Sequence, residues 1–343
     1  MQIAIFGSYG QGNIGDEAIA DGLAHVFNQA IPGSDLILFS HLDPTLKDTH
    51  PQYKSIEPMI ATGWRSLWRQ FASGTFRKTT KIIKESDWVV IGGGGIFHDQ
   101  EVGQHGFSPL FIWWIRTVYF GLLGKRIALA AVGVGPIKNK LSDSWLKGIL
   151  KRASIITVRD EQSQNILKSL TTKEVIVVPD PVWGLFTNSS KSPEPSTTLG
   201  INIRENHRFS PAEMDQKLTT AINQIKEKLI IKRIQLIPFA LNNPDDRDTM
   251  KPMINTLKEH TQLPVELVIP ENTVQAFELV SKCDYFIATR FHSYIFAQSA
   301  DVPCQLLSYS SKTDEITKYA KVDYLVQQKN AIQFWHDHLT QVD

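Results

Sequence analysis

Short, almost uninterrupted apolar runs punctuate this chain, at 2–6 (QIAIF), 35–39, 87–91, 126–132, 154–158 and 175–179, then again at 199–203, 234–239, 265–269, 285–289 and 304–308. A strand that is apolar at nearly every position has both faces covered, which is the condition of a parallel sheet flanked by helices. Glycine-containing turns and helical stretches, near 211–229, 245–260, 273–281 and from about 293, separate the runs. The pattern predicts an α/β fold made of doubly wound, Rossmann-like units.

The chain has 343 residues, more than one hydrophobic core usually organises. The break falls at TNSSKSPEPSTT (187–198), where Ser, Thr and Pro leave little to pack. We therefore expect a domain over 1–190, a second over 196–325, and a C-terminal helix over 326–343 that packs back on the first. Strand carboxyl ends carry the binding sites of such folds, so the two domains are expected to face a cleft.

Charge excludes one class of partner. Lys and Arg number 36 against 35 acidic residues, so no overall field favours nucleic acid, and a basic site has to be local. Cys283 and Cys304 have no metal-ligand spacing and read as buried residues of a reducing, cytoplasmic compartment. The start MQIAIF enters a strand without a basic leader, so no signal peptide is expected. The apolar stretch 107–124 contains Arg116 at its middle and Pro109 near its start. A central Arg disfavours membrane insertion, so the stretch reads as a helix packed on a sheet.

The first turn, Gly7-Ser-Tyr-Gly10-Gln-Gly12-Asn-Ile-Gly15-Asp16-Glu17, contains G-x-G-x-x-G. Two carboxylates at the helix start would repel a pyrophosphate, which argues against a nicotinamide cofactor. Asp16 reads either as a helix cap or as a group that orients or deprotonates a hydroxyl. Gly92–Gly95 follows the third apolar run and marks close approach of a ligand or of another backbone. Asp245 and Asp246 read first as helix caps.

Cations gather after the later strands. Arg204 ends LGINI, Arg290 and His292 follow YFIAT and precede a helical run, and Lys312 follows CQLLS. Converging donors beside a helix N-terminus suit a small multivalent anion such as a phosphorylated substrate. The stretch Trp64 to Lys78 interleaves Trp64, Trp68, Phe71 and Phe76 with Arg65, Arg69 and Arg77. It reads as a core-packed helix with a solvated basic edge, or as a contact with the inner face of a membrane.

In order along the chain, Gly12-Asn-Ile-Gly-Asp-Glu17, Gly92–Gly95 with Phe97 and Asp99, Gly133-Val-Gly-Pro136, Arg159-Asp160, Asp180-Pro181, Thr289-Arg-Phe-His292, Pro303 and Ser308-Tyr309-x-x-Lys312 resemble the polysaccharide pyruvyl transferase family. The resemblance implies a fold similar to GT-B glycosyltransferases. It implies transfer of a carboxyethylidene ketal from phosphoenolpyruvate to two hydroxyls of a glycan sugar, in exopolysaccharide or cell-wall polymer biosynthesis. The acceptor would be free, lipid-linked or polymeric. By motif the donor falls to Arg204, Arg290, His292 and Lys312. The acceptor falls to the N-terminal loops, here Gly12, Asn13, Asp16, Glu17, Gly94, Gly95 and His98. His292 is the expected general acid, and Asp16 or Asp99 the base. No metal and no cofactor beyond the donor substrate is expected. The chain departs from the family pattern at His98, where Gln is common, at Phe291 for Leu, and at Ser310-Ser311 for Asp-Pro. A nucleotide-sugar-dependent GT-B glycosyltransferase is the alternative that fold leaves open.

Overall fold

The computed structural model describes residues 1–41, 50–99, 108–186, 197–204, 210–242, 245–307 and 321–340. The expected linker core, Ser308–Tyr309, Ser310–Ser311 and Lys312 lie outside the described residues. Two compact units result: Met1–Gln11 with Ile19–Leu185 and Tyr324–Asp343, and Gly12–Ala18 with Phe186–Asp323. Gly12–Ala18, between β1 and the body of the first helix, are gathered with the second unit.

In the first unit seven strands form one parallel sheet: β1 Gln2–Phe6, β2 Asp35–Ser40, β3 Ser55–Pro58, β4 Trp88–Phe97, β5 Arg126–Val134, β6 Ala153–Val158 and β7 Ile176–Val177. Their spatial order is β3-β2-β1-β4-β5-β6-β7. Strand order reverses direction between β1 and β4, which is where an open α/β sheet parts to receive a ligand. Helices α1 Ile14–Ala30, α2 Trp64–Ala72, α3 Thr75–Glu85, α4 Pro109–Leu122, α5 Lys140–Arg152 and α6 Glu161–Lys168 connect these strands. Phe6 and Phe39 stack at 4.2 Å within the core that α4 closes through Leu110, Trp113 and Phe120.

Strand β4 differs from expectation, because the glycine run is the strand's own continuation and not a loop after it. The reason is steric. A Cβ on Gly92 or Gly93 would collide with Leu23 or Ile19 of α1, so the missing side chains let this helix lie directly on the strand. Gly93 and Gly94 also take positive φ, +63° and +78°, and the pairing with β5 shifts register just beyond them.

The second unit repeats the architecture with a five-stranded parallel sheet: β8 Thr198–Ile201, β9 Arg233–Leu236, β10 Val265–Leu267, β11 Tyr285–Ala288 and β12 Cys304–Leu306. The order β10-β9-β8-β11-β12 places its reversal between β8 and β11. Helices α7 Pro211–Lys226, α8 Asp246–Thr261, α9 Thr273–Ser281 and α10 Phe291–Ser299 alternate with the strands. Ser210 and Glu213 close a reciprocal capping box on α7. A last helix, α11 Lys321–Thr340, packs on the first unit. Its Tyr324 stacks on Trp183 at 4.3 Å, Trp335 meets Phe27 edge-on at 5.3 Å, and the Trp88 indole donates to the Leu339 carbonyl.

Candidate active site

Among the described residues, Arg204, Arg290 and His292 follow the two strands of the β8/β11 reversal. Arg204 lies three residues beyond β8, and its backbone N–H donates to Thr289 Oγ1 at 2.9 Å, just past β11. Arg290 is the N-terminal flanking residue of α10, and His292 lies in that helix's first turn. Two of the expected donor residues thus flank one reversal point, with the third a single turn into the adjoining helix.

Arg290 does not stand as a loose charge. Its Nε donates to both Asp246 oxygens, at 3.0 and 2.8 Å, and its Nη2 to Asp246 Oδ1 at 2.6 Å. Asp246 is 1% exposed and its Oδ2 also accepts from the backbone N–H groups of Phe239 and Ala240. Asn202, fully buried, accepts the Arg290 N–H and the Ser293 hydroxyl through Oδ1 and donates to the Ile237 carbonyl. The guanidinium plane is therefore fixed by a carboxylate along one edge. Sequence reading assigned Asp245 and Asp246 to capping. Asp245 does cap α8, accepting from the Arg247 N–H at 2.8 Å, whereas Asp246 holds Arg290. Asn202 is a single polar residue in the strand-like run 199–203, and its spacing gives no sign of this role.

The glycine loop meets this cluster. Ile14 N–H donates to the Phe239 carbonyl and Leu241 N–H to the Gly12 carbonyl, both at 2.8 Å, so the loop pairs with the segment after β9. A Cβ on Gly15 would fall far inside contact distance of His292 Nδ1, and one on Gly12 would stand 2.5 Å from Asn242 Nδ2. Glycine at both positions lets the loop backbone touch the second unit's side chains. Asn13 caps α1 by accepting the Gly15 N–H at 3.0 Å, and its amide donates to Asp16 Oδ2 at 2.9 Å. Asp16 is thus oriented by Asn13 and is not itself the cap, while Glu17 follows it in the first turn.

The remaining expected residues lie in the first unit. Asp99 Oδ2 accepts the backbone N–H groups of Lys138 and Asn139, both at 2.8 Å. Desolvation would raise its pKa, but these amides prevail and hold it below the usual carboxylate value. These bonds make Asp99 an anchor of the turn before α5. Gly94 is buried in β4 and Gly95 is exposed. His98 lines a cavity of about 560 Å³ at the carboxyl ends of β1 to β4. Arg159 pairs with buried Asp180 at 3.0 Å, giving those motif residues a structural role.

Two parallel Rossmann-like sheets, each with its reversal point, define an α/β protein of the GT-B type. Solved structures agree at low identity. The UDP-GlcNAc 2-epimerase of Methanocaldococcus jannaschii matches with a TM-score of 0.57 at 11% identity, over 97% of this chain and 93% of that one. A glycosyltransferase of Rickettsia africae matches at 0.55 and 11%, over 98% and 91%. The HepE protein of Anabaena, solved with UDP and glucose, matches at 0.54 and 12%, over 98% and 94%. Among curated proteins none matches in sequence. The family model "Polysaccharide pyruvyl transferase" matches residues 13–311, and the chain belongs to that family.

Proposed function

We propose that this protein transfers a pyruvyl ketal from phosphoenolpyruvate to two hydroxyls of a glycan. The observation that carries the reading is Arg290, fixed on Asp246 beside the β8/β11 reversal, with His292 in the adjoining helix turn and the Gly15 backbone packed against His292. Phosphoenolpyruvate bears a phosphate and a carboxylate, and Arg204 and Arg290 can each take one group while the α10 N-terminus shares the charge. His292 protonates the methylene carbon, and oxocarbenium character develops at the neighbouring carbon. One sugar hydroxyl adds there, the carbon–oxygen bond to phosphate breaks, and the second hydroxyl closes the ring. Of the two protons that the hydroxyls release, one restores His292 and the other leaves with phosphate. Asp16, held by Asn13, orients an attacking hydroxyl in this reading. Lys312 remains a proposed further donor contact.

The test is phosphate release from phosphoenolpyruvate with a glycan acceptor, with the product read by mass spectrometry for the added pyruvyl group. His292→Ala is expected to lower turnover by roughly 10²–10⁴-fold, the usual range for a general acid. Wild-type turnover in His292→Ala would remove the residue from the mechanism. Thermal stabilisation by UDP-sugars but not by phosphoenolpyruvate would instead favour a nucleotide-sugar glycosyltransferase.

Peripheral contact with an anionic membrane is part of the proposal. Helix α2 buries none of its residues, and Trp64, Trp68 and Phe71 are 75%, 60% and 50% exposed along one face. Arg65 and Arg69 lie on the same helix, and Arg77, Lys81 and Lys84 of α3 line a shallow hollow with Phe71, together with Glu85, which pairs with Lys81 at 3.7 Å. Exposed aromatics beside cations suit the headgroup boundary of an acidic bilayer. No described helix is long and apolar enough to cross a membrane. Co-sedimentation with phosphatidylglycerol vesicles is expected, and it should fall at least fivefold for Trp64→Ser with Trp68→Ser. Equal binding to phosphatidylcholine vesicles would overturn the electrostatic part.

A further inference from the structure

The first unit holds a buried cation that the reaction above does not use. Arg116, near the middle of α4, is 6% exposed and lines the cavity at the β1/β4 reversal. Its Nη2 donates to the Ile60 carbonyl at 3.2 Å, its Cζ lies 4.9 Å from the centre of the Trp113 ring, and its Nε has no hydrogen-bond partner among the described residues. Among the described residues no carboxylate pairs with it, whereas Arg159 and Arg290, more exposed than Arg116, both have one. Burial brings its pKa down to about 10, which leaves it a cation at neutral pH. A buried charge without a counter-ion is costly, and chains retain one where a ligand supplies the opposite charge.

The surroundings fit an oxyanion with a polar body. Ser8, Ser40, His41, Gln70 and His98 line the same cavity. Gln70 is itself fixed, accepting the Ala61 N–H at 3.0 Å and donating to the Met59 carbonyl at 2.8 Å, which holds the loop that carries Ile60. Reversal points of parallel sheets are where such folds take ligands. The cavity volume, about 560 Å³, lies within the usual range for small-molecule sites.

We propose that Arg116 binds an oxyanion on the acceptor, so that this protein acts on glycans carrying a negative charge. The acceptor role rests on the transferase reading above. The anion site itself does not. The charge is a sugar carboxylate or a glycosyl phosphate, and both present oxygens to one guanidinium.

The experiment uses the full chain carrying Arg204→Gln, which weakens the donor site while keeping the Arg290–Asp246 pair intact. Inorganic pyrophosphate and glucuronate are titrated separately, with binding read by calorimetry and by the fluorescence of Trp113 beneath the guanidinium. One probe is expected to saturate, and Arg116→Met to weaken it at least tenfold. Arg116→Met without ligand is expected to melt no lower than its parent, because an apolar side chain of similar size removes an unpaired buried charge. A merely structural arginine would give the reverse, a lower melting temperature with unchanged binding, and that result overturns the proposal. If Arg116→Met does not fold, Arg116→Lys must still weaken the probe at least threefold, since a point charge cannot replace the planar fork. Saturation by pyrophosphate identifies a phosphate-bearing acceptor, and saturation by glucuronate a uronate. Binding of neither probe overturns the proposal. Binding of a probe, with no pyruvyl transfer by the wild-type chain, leaves the site standing and overturns the reaction.

Discussion

Asp246→Ala is expected to destabilise the protein by about 3–5 kcal/mol and to abolish measurable donor binding, because it strands a buried guanidinium. Three consequences fall together. Arg290, 11% exposed, loses the bonds that set its plane. The N–H groups of Phe239 and Ala240 lose their acceptor, and Asn202 loses a neighbour at 3.4 Å. Asp246→Asn separates charge from shape. It keeps an acceptor oxygen for the backbone amides but turns an NH2 toward the guanidinium or the amides, so about half of the stability loss should remain. The KM for phosphoenolpyruvate should rise at least tenfold. Urea unfolding and steady-state kinetics on both variants test this. An Asp246→Ala protein within about 1 kcal/mol of wild type would mean that Arg290 finds another anchor, since breaking a buried pair costs several times that.

Asp246 also shows what a sequence reader could and could not see. Both sheets were legible, because a doubly buried strand has to be apolar at every position and each such run stood between turn signals. Strand β3, Ser55–Pro58, was not legible, being four residues that include Glu57 and Pro58. The glycine run was legible as a place of close approach. The partner was not, since contact with Ile19 and Leu23 depends on where α1 lies. Arg204, Arg290 and His292 were legible because a strand end fixes where the next residues point. The residue that holds Arg290 lies 44 positions away on another strand–helix connection, and local spacing carries no trace of that pairing. Arg116 was legible only as an argument against a membrane span. That it faces a cavity, with no carboxylate beside it among the described residues, follows from how β3 and α4 are arranged.

Gly15→Ala should part stability from catalysis. Gly15 lies in the first turn of α1 without a positive φ, so alanine is conformationally acceptable there and in a helix ordinarily gains about 0.5–1 kcal/mol. The new Cβ would collide with His292 Nδ1, so either the imidazole turns or the loop withdraws. The loop is held by the Ile14–Phe239 and Leu241–Gly12 backbone bonds, whereas a histidine side chain needs only to rotate. The imidazole is therefore what moves, and a displacement of about 1 Å at a reacting group costs on the order of 10²-fold. We expect kcat to fall by about that factor, the KM for phosphoenolpyruvate to change less than threefold, and the melting temperature to hold. Gly33→Ala is the matching control, since its Cβ meets open space while its φ of +80° disfavours alanine. It should lose about 1 kcal/mol of stability and keep full turnover. If Gly15→Ala retains wild-type kcat, the imidazole has room to yield without consequence, and proton delivery by His292 from this position is ruled out.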